Sequence, residues 1–495
     1  MSKIIIQNGN MCELDLPLKF AQKLYNEFAI RHPNAFYLRT RQRGMQNWDG
    51  KIHYITKTGQ FKIGLLPKVY DMCIEMGIKP KVVDMRQPLP KVSKVVTKIG
   101  KYKLRPEQEK AVKAVINNTI GGKPFHIGVL DYTVNAGKTL IMSSLYLSYK
   151  KQLKTLLITN DSDWLNQARE EFKQYLPGED ITFVQGKVLN WSNFTIGMVQ
   201  SISRNMRFYQ KELSQIDMVL IDEADQGGSR QYQNVITRLF NTRIRIGLSG
   251  TIYMSKLAKD KVKNMNLECF FGKVLAEFKL RDSIKKGYST KTVVKMVPGK
   301  PWYGNWESDY ISYKEIYDDS ITNSYTAWLM AYSRLRWNIN QGRYPALVVC
   351  KHIAHCENLY KFFKKKLGDA YNIAYVHVNT KSKLRQQIMK DFRDGKIDIL
   401  VSTTIIARGK NFPKLRYLLN AASMDSQEKS IQFLGRLVRT DKSKKKVYLD
   451  DLHYPGNYLD RHGKHRKQYY QRQELKVILL DKLWKKHPNH SLIKS

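Results

Sequence analysis

The apolar positions of this 495-residue chain change their period as the chain proceeds. In residues 1–95, Ile4-Ile5-Ile6 reads as a strand. Leu18, Ala21, Leu24, Tyr25 and Phe28 recur every three or four residues, which predicts one face of a helix. A basic, aromatic, turn-rich stretch follows from Phe36 to Lys62, with Asp49-Gly50 as a hairpin signal between short strands. A helix is expected over 68–76, and Pro88-Leu89-Pro90 opens a linker.

From about residue 100 the pattern becomes short β-rich apolar runs alternating with helical stretches. The runs are Ile127–Leu130, Leu156–Thr159, Thr195–Val199, Met218–Ile221 and Arg243–Leu248. The alternation restarts at Ala346–Cys350, Ile373–Val376, Asp398–Val401, Tyr417–Asn420 and Val447–Leu449. Strands alternating with helices predict parallel sheets wrapped by helices. The expected fold class is therefore α/β: a small α+β block over 1–95, then two consecutive parallel-sheet domains over 96–280 and 281–475. Residues 281–345 bridge into the second domain, and 476–495 form a basic tail.

The first α/β domain carries nucleotide chemistry. Thr133-Val134-Asn135-Ala136-Gly137-Lys138-Thr139 follows a strand and opens a helix. Backbone N–H groups and a helix N-terminus at such a place face phosphate. Lys138 would sit on the β- and γ-phosphates and Thr139 on Mg²⁺, although Tyr132 stands where the usual Walker pattern has its first glycine. Asp222 and Glu223 emerge at the carboxyl end of a predicted buried strand, where parallel sheets bind ligands. Asp222 suits the magnesium shell, and Glu223 suits orienting and deprotonating the attacking water. Gln108 has an amide able to pair with adenine, which would make ATP the nucleotide. Ser249-Gly250-Thr251 is either a link from the acidic motif to the neighbouring domain or a plain turn.

The second domain supplies arginines. Arg436 and Arg439, three apart, are expected to share a helix face and to reach a γ-phosphate. Gln200 and Thr403 are candidate nucleic-acid contacts, Thr403 because hydroxyls and N–H groups at a strand end suit a phosphate. The region around Gly409 is a further candidate for the nucleotide.

In this order, Gln108, Gly137-Lys138-Thr139, Asp222-Glu223-Ala224-Asp225, Ser249-Gly250-Thr251, Thr403 to Gly409 and Gln432 to Arg439 resemble the motif set of superfamily 2 helicases over about residues 100–475. The resemblance implies two tandem RecA-like domains, ATP between them, and a nucleic-acid strand across both. The sequence Gln432-Phe433-Leu434-Gly435-Arg436 departs from the His-Arg-Ile-Gly-Arg form of DEAD-box RNA helicases and is closer to DNA-acting members. In the N-terminal block, Gln46 to Lys51 with Gly64-Leu65-Leu66 behind it is similar to the front domain of branched-DNA helicases of tailed phages. That family implies 3′–5′ unwinding of forks, Holliday junctions and R-loops, with branch migration and annealing, in phage recombination, repair and replication. Arg41, Arg43, Trp48 and Lys51 are then the expected DNA contacts of the block.

Charge sharpens the choice of partner. The chain has 85 Lys+Arg against 43 Asp+Glu, a net charge of +42, which points to a polyanion. No apolar run approaches a bilayer span, so DNA is expected and a membrane is not; no protein partner can be read from the sequence. Five scattered cysteines, among them Cys350 and Cys356 around His352 and His355, read as reduced thiols in a cytoplasmic protein, the host cytoplasm for a phage protein. The 442–446 run, Lys442-Ser443-Lys444-Lys445-Lys446, reads as a solvated turn, and Trp302 to Trp306 as interdomain packing or a strand-separating wedge. Two other functions stay open: an RNA helicase of the same superfamily, and a DNA-annealing scaffold with a weak motor.

Overall fold

The computed structural model describes residues 2–42, 44–149, 151–186, 188–252, 260–299, 312–407, 412–425, 427–441 and 443–480. Two compact units emerge, one of residues 1–132 and 136–278, the other of 133–135 and 279–495.

The first unit is built on an eight-stranded sheet. Its strands run in the order Val188–Leu189, Ile181–Gln185, Phe194–Met198, Thr155–Thr159, Met218–Asp222, Ile244–Ser249, His126–Tyr132 and Val274–Phe278. All pairings are parallel except the one at the Val188–Leu189 edge. The five predicted apolar runs are its central strands, buried along their whole length because helices cover both faces. The outer strands Ile181–Gln185 and Val274–Phe278 are only partly buried. Their weaker apolar pattern is why periodicity did not predict them.

The N-terminal block has its own four-stranded sheet, in the order Gln60–Lys62, Met11–Asp15, Lys3–Ile6, Lys81–Asp84. Helices Leu18–Glu27 and Leu66–Glu75 accompany it. The stretch read as turn-rich opens with a helix, Ala35–Arg41, before the hairpin strand Lys51–His53 pairs with Ala29–Arg31. Ala35 is that helix's one buried side chain, so no apolar stripe announced it.

This block shares one hydrophobic core with the eight-stranded unit, running from Ile4 and Ile6 through Leu65 to Leu267 and Phe271. Arg245, fully buried in a central strand, donates to Gly9 O at 2.6 Å, Asn10 Oδ1 at 2.7 Å and Phe270 O at 3.2 Å. Burial pushes its guanidinium down to about 9. Tyr54 donates to Asn266 Oδ1 at 3.0 Å, and Lys68 pairs with Glu268 at 2.5 Å. The block is bolted to the sheet it precedes.

The second unit is an all-parallel seven-stranded sheet: Ile373–Val376, Ile399–Thr403, Ala346–Cys350, Tyr417–Asn420, Lys446–His453, Lys291–Pro298, Val477–Leu479. Two apolar clusters line it. The bridging segment 281–345 contributes the strand Lys291–Pro298 and the helix Tyr325–Asn340. The α/β architecture with two tandem parallel sheets is thus as the alternating pattern predicts. Trp302 to Trp306 lie outside the described residues.

Candidate nucleotide site

The phosphate loop leaves the buried strand His126–Tyr132 and enters the helix Lys138–Ser148. Two left-handed residues, Asn135 (φ 64°) and Gly137 (φ 72°), fold it back on itself. Thr133, Val134 and Ala136 complete the loop, with Thr133 and Ala136 buried. The helix behind it begins with N–H groups that have no intrahelical acceptor, the ordinary condition for holding an anion.

Two side chains fix this loop from the preceding helix, Pro106–Ile116. The Tyr132 hydroxyl donates to Glu107 O at 2.7 Å, so the residue replacing the first Walker glycine clamps the strand end to that helix. Gln108, also buried, donates from Nε2 to Ala136 O at 2.8 Å and accepts from Arg105 N at 2.8 Å. A Cβ at Gly137 would overlap the Gln108 amide, so the loop glycine and this glutamine are fitted to each other. Both ends of the amide predicted to pair with adenine are engaged with backbone. Gln108 shapes the phosphate loop in this state, and adenine pairing would require those bonds to exchange.

Asp222 ends the buried strand Met218–Asp222, and Glu223 follows with φ 51°, a left-handed kink that turns its carboxylate out of the strand line. Gly247 on the adjacent strand permits this turn, since a Cβ there would lie 2.7 Å from Ala224 Cβ. Asp225 Oδ1 accepts from Ser249 Oγ at 2.8 Å, and Ser249 Oγ accepts from Thr251 N at 3.1 Å. The Ser249–Thr251 segment is therefore tied to the acidic motif. Lys138 Nζ lies 3.9 Å from Asp222 Oδ1.

Three acids crowd one strand end with a single lysine close by. Burial raises the Asp222 carboxyl above its usual range, opposed by Lys138. Burial, then the charges of Asp222 and Asp225, push Glu223 up to about 8. Tyr232, buried beside all three, is raised well above its ordinary value by burial first and then by their charge. Its sequence position carried no signal of that placement.

The residues fit a hard divalent cation. Asp222 Oδ1 is buried with no hydrogen-bond partner, a costly state for a carboxylate oxygen and one that coordination would relieve. Thr139 stands one residue beyond Lys138 at the helix start, with its hydroxyl chemistry suited to the same ion.

The second unit carries the arginines. Arg436 is buried in the last turn of the helix Gln427–Leu437. Arg439 lies two residues beyond that helix, which ends at Leu437, with Val438 N donating to Leu434 O at 3.0 Å. Lys444 explains the stop. Its buried ammonium donates to Leu437 O and Leu415 O, each at 3.0 Å. The 442–446 run is thus not wholly a solvated turn, and burial pushes Lys444 down to about 8. Thr290 holds the next residues, donating from N to Val438 O at 2.7 Å and from Oγ1 to Arg439 O at 3.1 Å.

Thr403 ends the strand Ile399–Thr403 and is buried. Gln200, in the first turn of the helix Val199–Arg204, donates to Asn160 O at 3.4 Å. In the N-terminal block, Trp48 donates from Nε1 to Lys51 O at 2.9 Å and meets His32 edge-on, so its indole anchors the hairpin. The Arg41 guanidinium lies 5.4 Å from the Tyr37 ring centre. Arg43 and Gly409 lie outside the described residues. Cys350, Cys356 and His355 are all buried, and burial pushes His355 down to about 3. No described helix is long and apolar enough to cross a membrane.

Comparison with known proteins places these features. Residues 101–254 match the family model described as type III restriction enzyme, res subunit, and residues 331–441 match the helicase conserved C-terminal domain. The protein named Putative helicase 22, of Sulfolobus islandicus filamentous virus, is 23% identical over 385 residues, covering 71% of this chain and 64% of its own. Competence protein ComFA of Bacillus subtilis is 23% identical over 307 residues, covering 61% of this chain and 59% of its own. The chain thus spans about three-fifths of the length of these relatives. Among solved structures, T4 UvsW aligns over 97% of this chain and 98% of its own, at 18% identity and a TM-score of 0.44. The DNA-bound type ISP restriction-modification enzyme LlaBIII aligns over 83% of this chain and 34% of its own, at 14% identity and a TM-score of 0.57, a likeness of fold. Both motor-domain models are thus matched in order, one on each parallel-sheet unit, an arrangement similar to that of superfamily 2 helicases.

Proposed function

We propose that this protein is an ATP-dependent helicase or translocase acting on branched DNA: forks, Holliday junctions and R-loops. Serving recombination, repair and replication by branch migration follows from that activity. The observation that carries the motor reading is the buried acid pair Asp222–Glu223 beside Lys138, at the strand end next to the phosphate loop.

ATP would supply the phosphoryl group, and Mg²⁺ would supply positive charge that offsets the negative charge on it as it transfers. Thr139 and Asp222 would hold the ion. Lys138 would neutralise the β- and γ-phosphates, and the loop Thr133–Gly137 would wrap them. Glu223 would orient a water and accept its proton; a carboxyl poised near neutrality suits that task. Arg436 and Arg439 would stabilise charge on the transferred group, Arg436 from a helix end fixed by Lys444.

The DNA reading is supported by the +42 charge and by a basic, aromatic N-terminal block fastened to the motor sheet through Arg245. Thr403 and Gln200 are the motor's proposed strand contacts. An RNA substrate is the second reading, favoured by relatives such as one named ATP-dependent RNA helicase CHR1, of Candida albicans. Unwinding of matched fork, Holliday-junction, R-loop, blunt-duplex and structured-RNA substrates separates the two. Faster ATP-dependent unwinding of the branched DNAs is expected. Preference for structured RNA, or equal rates on blunt duplex, would overturn the branched-DNA proposal.

A further inference from the structure

The N-terminal block contains a groove of about 560 Å³ between the helix Ala35–Arg41 and the hairpin leading into Lys51–His53. That is within the size of ordinary ligand sites, roughly 300–1,000 Å³. Its lining includes Ala35 and Gly50, where the two elements approach so closely that a Cβ at Gly50 would lie 3.1 Å from Ala35 Cβ. Gly50 also has φ 76°, so the turn itself favours glycine.

The rest of the lining has a definite chemistry. Phe36 is 79% exposed, an unusual state for a large aromatic. Arg31, Arg39 and Lys51 are cations of the same groove, and none of them forms an ion pair among the described residues. The one carboxylate, Asp49, is already occupied. It takes His53 Nε2 at 2.7 Å on one oxygen and Lys51 N at 2.9 Å on the other. An aromatic face with three cations outside any ion pair complements a nucleotide: a flat base with negative phosphates on either side. Trp48, by contrast, has its indole N–H committed within the hairpin.

We propose that this groove seats one unpaired nucleotide of a DNA strand at a junction, its base stacked on Phe36 and its flanking phosphates held by Arg31, Arg39 and Lys51. The occupant is an unpaired nucleotide because a base inside a duplex has no free face for Phe36 to cover. A junction offers such a base next to duplex, and a blunt duplex does not. Because this block and the phosphate loop's parent sheet share one core, the seat lies at a set position relative to the sheet that carries Asp222 and Lys138. The seat rests on the DNA-motor reading for its purpose, and it is tested separately from it.

The test uses the full chain and a fork carrying 2-aminopurine at the first unpaired position, with a blunt duplex for comparison. Wild type is expected to quench the probe and to bind the fork more tightly than the duplex. Phe36→Ala should abolish the quench and lower fork affinity about tenfold, toward the low end of what base–aromatic stacking supplies. Phe36→Trp should restore both. Arg31→Ala with Arg39→Ala should reduce the salt dependence of fork binding by about one to two in slope, near 0.9 per lost phosphate contact. Phe36 is largely exposed, so its removal leaves the core intact. Unchanged quench and fork affinity in Phe36→Ala would overturn the seat. Wild-type ATPase that no nucleic acid stimulates, alongside a quench that still depends on Phe36, would instead remove the motor reading and leave the seat standing.

Discussion

The two parallel-sheet units bury acids at their strands in opposite ways. In the first, Asp222 keeps a buried oxygen without a hydrogen-bond partner, and Glu223 is pushed up to about 8 beside two further carboxylates. In the second, Asp451 is wholly buried and fully supplied: Arg466 Nε reaches both its oxygens at 3.0 and 3.1 Å, Tyr470 donates at 2.7 Å and Asn420 at 2.9 Å. Its neighbour Asp450 pairs with Arg334 at 2.7 Å. One architecture thus holds acids raised by burial and mutual charge in one unit and a hydrogen-bonded acid network in the other. The first arrangement belongs with chemistry, because a buried carboxylate oxygen without a hydrogen-bond donor is suited to a metal ion. The satisfied network belongs with structure, locking the strand Lys446–His453 to the helices carrying Arg334 and Arg466.

The comparison breaks most visibly by neutralising one acid in each unit. Asp451→Asn leaves the Arg466 guanidinium buried with its charge uncompensated and should cost about 3–5 kcal/mol in chemical denaturation. Asp222→Asn removes a buried charge that Lys138 offsets only from 3.9 Å, so its stability should stay within about 1 kcal/mol of wild type while ATP turnover is lost. Equal destabilisation by the two would mean the units do not differ in this respect.

A pH series sharpens the same point in metal-free buffer. The folded-state Glu223 carboxyl is raised from its ordinary 4.5 to about 8. Its contribution to stability is therefore present below about 4.5 and lost as pH rises through about 8, because the unfolded chain ionises first. Glu223→Gln has no such loss. The variant should melt like wild type near pH 4.5 and be more stable at pH 8.5, by up to a few kcal/mol at about 1.4 kcal/mol per pKa unit. A difference constant with pH would contradict the raised carboxyl.

Lys444 offers a smaller test within the satisfied unit. Lys444→Met leaves the buried carbonyls of Leu415 and Leu437 without their donor, at a cost of about 1–3 kcal/mol. As a positioning residue for Arg436, it should also lower kcat several-fold with little change in the KM for ATP. Unchanged kcat in a destabilised variant would leave Lys444 with a structural role alone.

Much of this was legible in the sequence, and for a physical reason. Strands buried on both faces are apolar almost throughout, so Ala346–Cys350 and Tyr417–Asn420 begin and end where their runs do. Lys138, Asp222 and Glu223 were legible because phosphate and metal chemistry ties residue type to a strand end. What escaped depends on partners distant in sequence. Arg245 looks like an interruption in an apolar run until Gly9 and Asn10 cover it. Gln108 and Tyr132 are fitted to backbone atoms about 25 residues away. Lys444 sits in a lysine-rich run, and only the end of a helix at Leu437 draws it inside. The exposed face of Phe36 was hidden for the converse reason: its helix buries too little for any periodicity to show.

The central claim, that Asp222 and Glu223 carry nucleic-acid-stimulated ATP hydrolysis, is tested most directly by measuring ATP binding and hydrolysis in Glu223→Gln with fork DNA present. The account predicts that ATP binding with Mg²⁺ persists, because Lys138, Thr139 and Asp222 remain, while hydrolysis falls by several orders of magnitude as the water loses its base. DNA-stimulated hydrolysis near the wild-type rate in Glu223→Gln would contradict it.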